Sequence, residues 1–307
     1  MSAVPPSAGA NPPVDHGYFE PSPIMRRKPV RWPGDAKVAI GIVVSIEQYE
    51  MAQAPGAFLP VTLPGGMGRG PYPDFRSYSL REYGNRIGVF RVMETLDRHG
   101  LRATAAIDAA VATNKPVILR ECMRRDWEIA AHGNAVTQII SSKLDENAER
   151  EQVQSALSAV ERASGRRPAG WHGPEYAESA RTPGVLAGLG VSYVLDWPND
   201  ELPYLMRTPA GPIVSLPMLV DFDDVFAHWY RKLSMGRWQQ SVADALDWMI
   251  DDGARQPRML VLNLHPWLIG QPWRISYLDA VLADLRRREG IWFATAGEIA
   301  ASWREQQ

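Results

Sequence analysis

Residues 37–46 read KVAIGIVVSI, an almost unbroken apolar run rich in β-branched side chains that ends against Glu47. A strand with one wet face alternates apolar and polar residues. One that is apolar throughout is buried on both faces, the position of a central strand in a parallel sheet. Outward from this run the chain alternates. Residues 85–99 are amphipathic and stop at Gly100; 102–107 read as a strand, 116–125 as a helix and 127–131 as a strand. Residues 144–164 read as a long helix with Val153, Ala156, Leu157 and Val160 on one face, stopping at Gly165. A short strand ending at Trp171, a helix at 182–189 and strands at 192–195 and 213–216 follow. Helix 238–251, strand 259–264, helix 275–288 and strand 291–293 complete the series. Strands alternating with helices imply βαβ units, hence an α/β fold with a parallel sheet or barrel. The expectation is one such domain over residues 31–307. An irregular arm precedes it at 1–30, where Pro5, Pro6, Pro12 and Pro13 disfavour helix and central strand alike. The Gly/Pro-rich stretch 54–73 reads as a long loop of the kind used as a lid or an interface.

Composition narrows the function. Hydrophobic residues make up 45% of the 307 and charged residues 22%, with a net charge of -2, as in an ordinary globular protein. No basic surface argues for nucleic acid. No window approaches the ~18 apolar residues of a membrane span, and residues 1–13 lack the basic and apolar regions of a secretory signal. The single cysteine, Cys122, excludes an intrachain disulfide and a zinc–thiolate cluster, and reads as an inert thiol near the end of a surface helix. These features lead us to expect a cytoplasmic protein with a small-molecule substrate and neither nucleic acid nor membrane as partner.

In an α/β barrel the chemistry sits where strands end and loops begin. Five strand ends carry polar groups: Ser45-Ile46-Glu47, His132-Gly133-Asn134, Trp171-His172-Gly173-Pro174-Glu175, Asp196-Trp197 and His265-Pro266-Trp267. Each has a bland reading. Glu47 could be a surface carboxylate, a lone histidine is more often structural than catalytic, and Asp196 could cap a turn. Five at one end of a single barrel favour a site.

The segments RWPGDAKVAIGIVVSIEQYE (31–50), REYGNRIGVFRVMETLDRHG (81–100), WEIAAHG (127–133), GRRPAGWHGPEYAES (165–179) and DWPNDELPY (196–204) resemble the NodB-type polysaccharide deacetylase superfamily (carbohydrate esterase family 4). The likeness is greatest to the branch of the allantoinase analogue and the cyclic imide hydrolases. The resemblance implies a distorted (β/α) barrel and hydrolysis of a non-peptide C–N bond. It implies an aspartate base and an aspartate metal ligand at the positions held here by Ser45 and Glu47. It implies two metal-binding histidines at the positions of His132 and Val136, and an arginine near His172. It also implies a general-acid histidine at His265 and a partner carboxylate at Asp196. A zinc centre that activates water needs three protein ligands and an open position. Glu47 and His132 supply two, so the expectation is no cofactor or a weakly held divalent metal such as zinc. The branch also implies a homo-oligomer, dimer or tetramer, with the arm and the REYGNR segment as contacts. Arg81, Glu82 and Arg86 read equally well as a solvated face.

These residues suggest a division of labour. Glu47, a buried carboxylate with few cations near it and a raised pKa, would be the base or a metal ligand; Glu175 is a second base. His132 would orient water or a carbonyl, and His265 would protonate the leaving nitrogen. Asp196 would fix the tautomer of His265 or of another polar group. Ser45, Asn134, Trp171, His172, Trp197 and Trp267 would bind substrate, the indoles walling a small planar ring. The leading reading is ring opening of a cyclic amide, imide or ureide. The alternatives are N-deacetylation of an amino sugar or polysaccharide, and a barrel that binds a small molecule without turning it over.

Overall fold

The computed structural model describes residues 16–52 and 73–307. Half of the 1–30 arm and nearly all of the 54–73 loop lie outside the described residues. The strands are β1 (Val38–Ile46), β2 (Thr104–Ile107), β3 (Glu128–Ala131), β4 (Gly170–Trp171), β5 (Tyr193–Val194), β6 (Tyr204–Met206), β7 (Ile213–Ser215), β8 (Arg258–Leu264) and β9 (Ile291–Ala294). They form one sheet in the order β6-β7-β5-β4-β3-β2-β1-β8, with β9 also on β1. Every pairing is parallel except β6 with β7. β1 pairs β8 along Val38–Val44, while β9 takes its first half and β2 its last four residues. The sheet curls into a distorted barrel whose ends, among the described residues, form no ladder. A single bridge between Asp223 and Asn263 spans the gap.

The double burial read from KVAIGIVVSI has a simple geometry. Val38, Ile40, Ile42, Val44 and Ile46 point into the layer beneath the helices, while Ala39 and Val43 point into the barrel interior. Each fully buried Val or Ile contributes about 1.5–3 kcal/mol relative to an exposed one. Helices α1 (Phe75–Tyr83), α2 (Val89–Arg98), α3 (Ala109–Asn114), α4 (Pro116–Arg124), α5 (Glu146–Ser164), α6 (Thr182–Gly188), α7 (Met235–Gly253), α8 (Pro266–Ile269), α9 (Ile275–Arg287) and α10 (Ala296–Arg304) fill the connections. None among the described residues is long and apolar enough to cross a membrane.

Two local readings are corrected. The helix expected at 85–99 is the second half of a longer element. α1 passes through a π-turn at Gly84–Gly88 into α2. The two glycines let this turn press against the segment after β8: a Cβ on Gly84 would lie 2.7 Å from Trp267 N, and one on Gly88 would meet Pro266 O at 2.1 Å. Sequence periodicity cannot register such a contact. Cys122 lies on the inner face of α4 and is fully buried, not at a surface helix end. Burial pushes its thiol up to about 12.

Candidate active site

Strand register builds the site. Ile46 pairs Ile107, Ile107 pairs Ala131, Ala131 pairs Trp171, and Trp171 pairs Val194. The residues one step beyond, Glu47, Asp108, His132 and His172, therefore lie in one layer at the C-terminal rim. His265 follows β8 at the same rim. Glu47, His132, His172, Glu175, His265 and Trp267 line one pocket with about 300 Å³ of empty space, solvent mouth included.

Three histidines share one arrangement. His132 Nδ1 lies 2.7 Å from the His172 carbonyl, which can only accept, so Nδ1 carries the hydrogen. His172 Nδ1 donates to Asp196 at 2.8 Å and His265 Nδ1 to Asp224 at 2.7 Å. These partners fix each ring and its tautomer. His132 Nε2 lies 3.5 Å and His265 Nε2 3.8 Å from Glu47 Oε1. The His132 and His172 rings stack with centroids 4.7 Å apart. The other carboxylate oxygen, Oε2, accepts from Trp267 Nε1 at 3.2 Å and faces Arg81 Nε at 3.4 Å.

The electrostatics reverse one expectation. Burial raises the Glu47 pKa, but His132, His265 and Arg81 beside it outweigh that effect and hold the carboxyl well below its usual range. Glu47 is thus a fixed anion and a poor proton acceptor. Cations are not scarce there: Arg81, in a run that reads equally as an interface or a solvated face, is buried beside Glu47. Glu175 takes the opposite course. Burial and the Glu47 charge push it up to about 8. Burial would lower His265, but Asp223, Asp224 and the hydrogen bond to Asp224 push it up to about 10. Burial lowers His172, keeping that ring neutral.

Several named residues stand elsewhere. Trp171 is 0% exposed and packs in the core between the sheet and α5. Trp197 donates to Glu178 and packs on Tyr18 and Phe19 of the arm. Neither indole lines the pocket: Trp171 falls on the helix side of β4, since side chains alternate across a strand, and Trp197, beyond the end of β5, turns to the arm. Asn134 bonds Gln138. Ser45 acts from behind: it donates to Asn263 Oδ1 at 2.8 Å, and Asn263 donates to Asp223 Oδ2 at 2.8 Å. Asp196 holds His172, and the residue holding His265 is Asp224.

Arg81, Tyr176, Asp223 and Asp224 were not singled out as site residues from the sequence. Tyr176 donates to Asp223 Oδ2 at 2.9 Å. Asp223 and Asp224 follow a short 3-10 turn with no periodic pattern to mark them; adjacent acids shortly after a strand were the only available signal. Arg81, in a charged run, carried none.

Cation binding can be judged from the donors. Ligand atoms of Asp223, Asp224 and His265 lie within 4.8 Å of one another. Their lone pairs are engaged. Asp223 Oδ1 accepts from the backbone of Val225 and Phe226, and its Oδ2 from Tyr176 and Asn263. Both Asp224 oxygens accept from His265 N, and Oδ1 also from its ring. Val136, at the family's second histidine position, packs with Tyr49 and Ile139. Glu47, His132 and the neutral His172 remain in the pocket, but among the described residues these three do not bring their ligand atoms within 4.8 Å of one another, and two cations already stand beside Glu47. This donor set does not fit a zinc centre.

Residues 82–194 match the family model described as polysaccharide deacetylase. A protein of Schizosaccharomyces pombe provisionally named a polysaccharide deacetylase is 25% identical over 89% of this chain and 92% of its own. The crystal structure of a probable polysaccharide deacetylase from Pseudomonas aeruginosa PAO1 superposes with a TM-score of 0.81 at 26% identity, covering 94% of this chain and 99% of the other. That of Puue allantoinase gives the same four values.

Proposed function

We propose, for a chain that carries a polysaccharide deacetylase domain of NodB type, that it is a hydrolase of carbon–nitrogen bonds and opens a small cyclic imide or ureide. The observation that carries this reading is the convergence of Glu47, His132 and His265 on one small pocket, with their outer nitrogens and oxygens locked. The pocket is narrow, which suits a compact ring better than a glycan chain. The likeness to Puue allantoinase supports the same substrate class.

Hydrolysis needs a base, a stabilised oxyanion and an acid for the leaving nitrogen. The Glu47 anion, 3.5 Å from His132 Nε2, accepts a hydrogen bond from the attacking water. Glu175, pushed up to about 8, takes its proton. The imidazolium of His265 stands beside the developing oxyanion and gives its Nε2 proton to the leaving nitrogen. Both pKa values are raised, and between about 8 and about 10 Glu175 is ionised while His265 keeps its proton, so base and acid stand ready together. One proton is taken and one returned as the C–N bond breaks, leaving a carboxylic acid, which ionises, and an amide or urea nitrogen.

The name of the matched family favours a second reading, removal of an acetyl group from an amino sugar. A panel of cyclic imides, hydantoins, allantoin and N-acetyl sugars, assayed with and without chelator, separates the two. Ring opening indifferent to chelator supports the proposal. Acetate release with no ring opening, or activity abolished by chelator and restored by zinc, would sink it.

A further inference from the structure

We propose that Arg81 determines substrate specificity by receiving a second acyl oxygen of the substrate, one not attacked. This rests on the ring-opening reading and narrows it to rings with two carbonyls flanking a nitrogen, as in imides and hydantoins, against lactams.

Arg81 is 2% exposed and lines the pocket. Its guanidinium lies 4.3 Å from the centroid of the Trp267 ring and 5.8 Å from that of Tyr49. Its seat is fixed by Gly84 and Gly88, which bring the end of α1 onto the Pro266–Trp267 backbone. The guanidinium is therefore preorganised, yet incompletely used. Nε stands 3.4 Å from Glu47 Oε2, beyond the about 2.7–2.9 Å of a charge-assisted hydrogen bond. Neither Nε nor Nη1 has a hydrogen-bond partner among the described residues. Buried polar groups are nearly always matched. A counter-ion role toward Glu47 occupies only the Nε side and leaves Nη1 without an acceptor.

Position decides which acceptor. The two imidazoles stand at Glu47 Oε1 and Arg81 at Oε2. A planar ring whose reacting carbonyl sits on the imidazole side reaches Arg81 only with a second oxygen across the nitrogen. An imide has one there; a lactam of the same ring size has none. A site built to hydrogen-bond a group discriminates strongly against the analogue lacking it.

The test is binding, which does not require turnover. Succinimide against 2-pyrrolidinone, and hydantoin against 2-imidazolidinone, are titrated calorimetrically into the full chain and into Arg81→Gln and Arg81→Lys. The wild-type protein is expected to hold each dicarbonyl ring at least about tenfold more tightly than its partner. In Arg81→Gln that ratio falls toward one through loss of dicarbonyl affinity alone, and Arg81→Lys restores part of it. Equal wild-type affinity for both members of a pair overturns the proposal, even if neither variant folds. So does a variant that weakens both members equally, the mark of a structural counter-ion. Dicarbonyl preference lost with Arg81, but with no ring opened under any condition, upholds the receptor and overturns the hydrolase reading instead.

Discussion

Replacing Asp224 by Asn should move the alkaline limb of the pH–rate profile down without unfolding the protein. Asp224 Oδ1 lies 2.7 Å from His265 Nδ1, and both its oxygens accept from His265 N at 3.1 and 3.0 Å. Asp223 Oδ1 is farther from that ring nitrogen, at 4.0 Å, and Glu47 Oε1 is 3.8 Å from Nε2. Against the opposing effect of burial, these charges carry His265 from 6.5 to about 10. That is roughly 5 kcal/mol in favour of the imidazolium. Asn keeps the shape and one acceptor oxygen and removes the nearest charge, worth about one to three pH units. His265 in the variant should titrate between about 7 and 9. Because it works as an acid, activity is lost as pH rises through its pKa, so the limb slides down by the same interval. Stability follows the same sign. A folded pKa raised above the unfolded value adds stability that is complete below about 6.5 and lost as pH rises through about 10. The variant has less to lose and loses it at lower pH. The assay is kcat/KM for ring opening from pH 6 upward, on roughly half-unit steps, with the His265 ring proton followed by NMR. A folded variant whose limb and ring titration both stay near about 10 would refute the assignment of His265 as the acid held by Asp224.

Glu175→Gln should remove the acidic limb near about 8 and lower kcat by about 10²–10⁴; a rate profile unchanged below that pH would return the base role to another group. Trp267→Leu should raise KM while Trp197→Phe leaves it as it was, because only Trp267 lines the pocket; steady-state kinetics on one ring substrate decides. Gly88→Ala should lower the melting temperature, since its Cβ would meet Pro266 O at 2.1 Å, at a cost of roughly 1–3 kcal/mol. It should also weaken substrate binding by displacing Arg81 from Trp267; calorimetry and scanning fluorimetry read both.

The strands and the rim were legible because both are written locally. KVAIGIVVSI is apolar at every pleat, and a parallel sheet aligns the residues that follow its strands, so Glu47, His132, His172 and His265 could be gathered without coordinates. What could not be read is what depends on facing. Trp171 and Trp197 adjoin polar strand-end residues in sequence yet turn away from the pocket. Arg81 shows the reverse error: a charge on a helix is usually solvated, and only the close approach allowed by Gly84 and Gly88 buries this one. The Asp223–Asp224 pair lies in irregular chain, where no period reports position. The Glu47 pKa was misread for the same reason, since its direction turns on cations that sequence spacing does not locate.

Charge balance ties these corrections together. A carboxylate as buried as Glu47 requires compensation, because an unpaired ion in the interior would neutralise instead. In a metalloenzyme of the resembled family the dication gives it, held by further donors. Here both supporting positions are changed, Ser45 to a brace for Asn263 and Val136 to an apolar cluster with Tyr49. The compensation comes from the chain: a guanidinium 3.4 Å from one oxygen and an imidazolium 3.8 Å from the other. A divalent ion on Glu47 would share the carboxylate with both and be repelled by each. Arg81 and His265 thus supply two covalently fixed positive charges beside Glu47. The charge that steadies the site would then be present at every metal concentration, until the pH rises high enough to take the proton from His265.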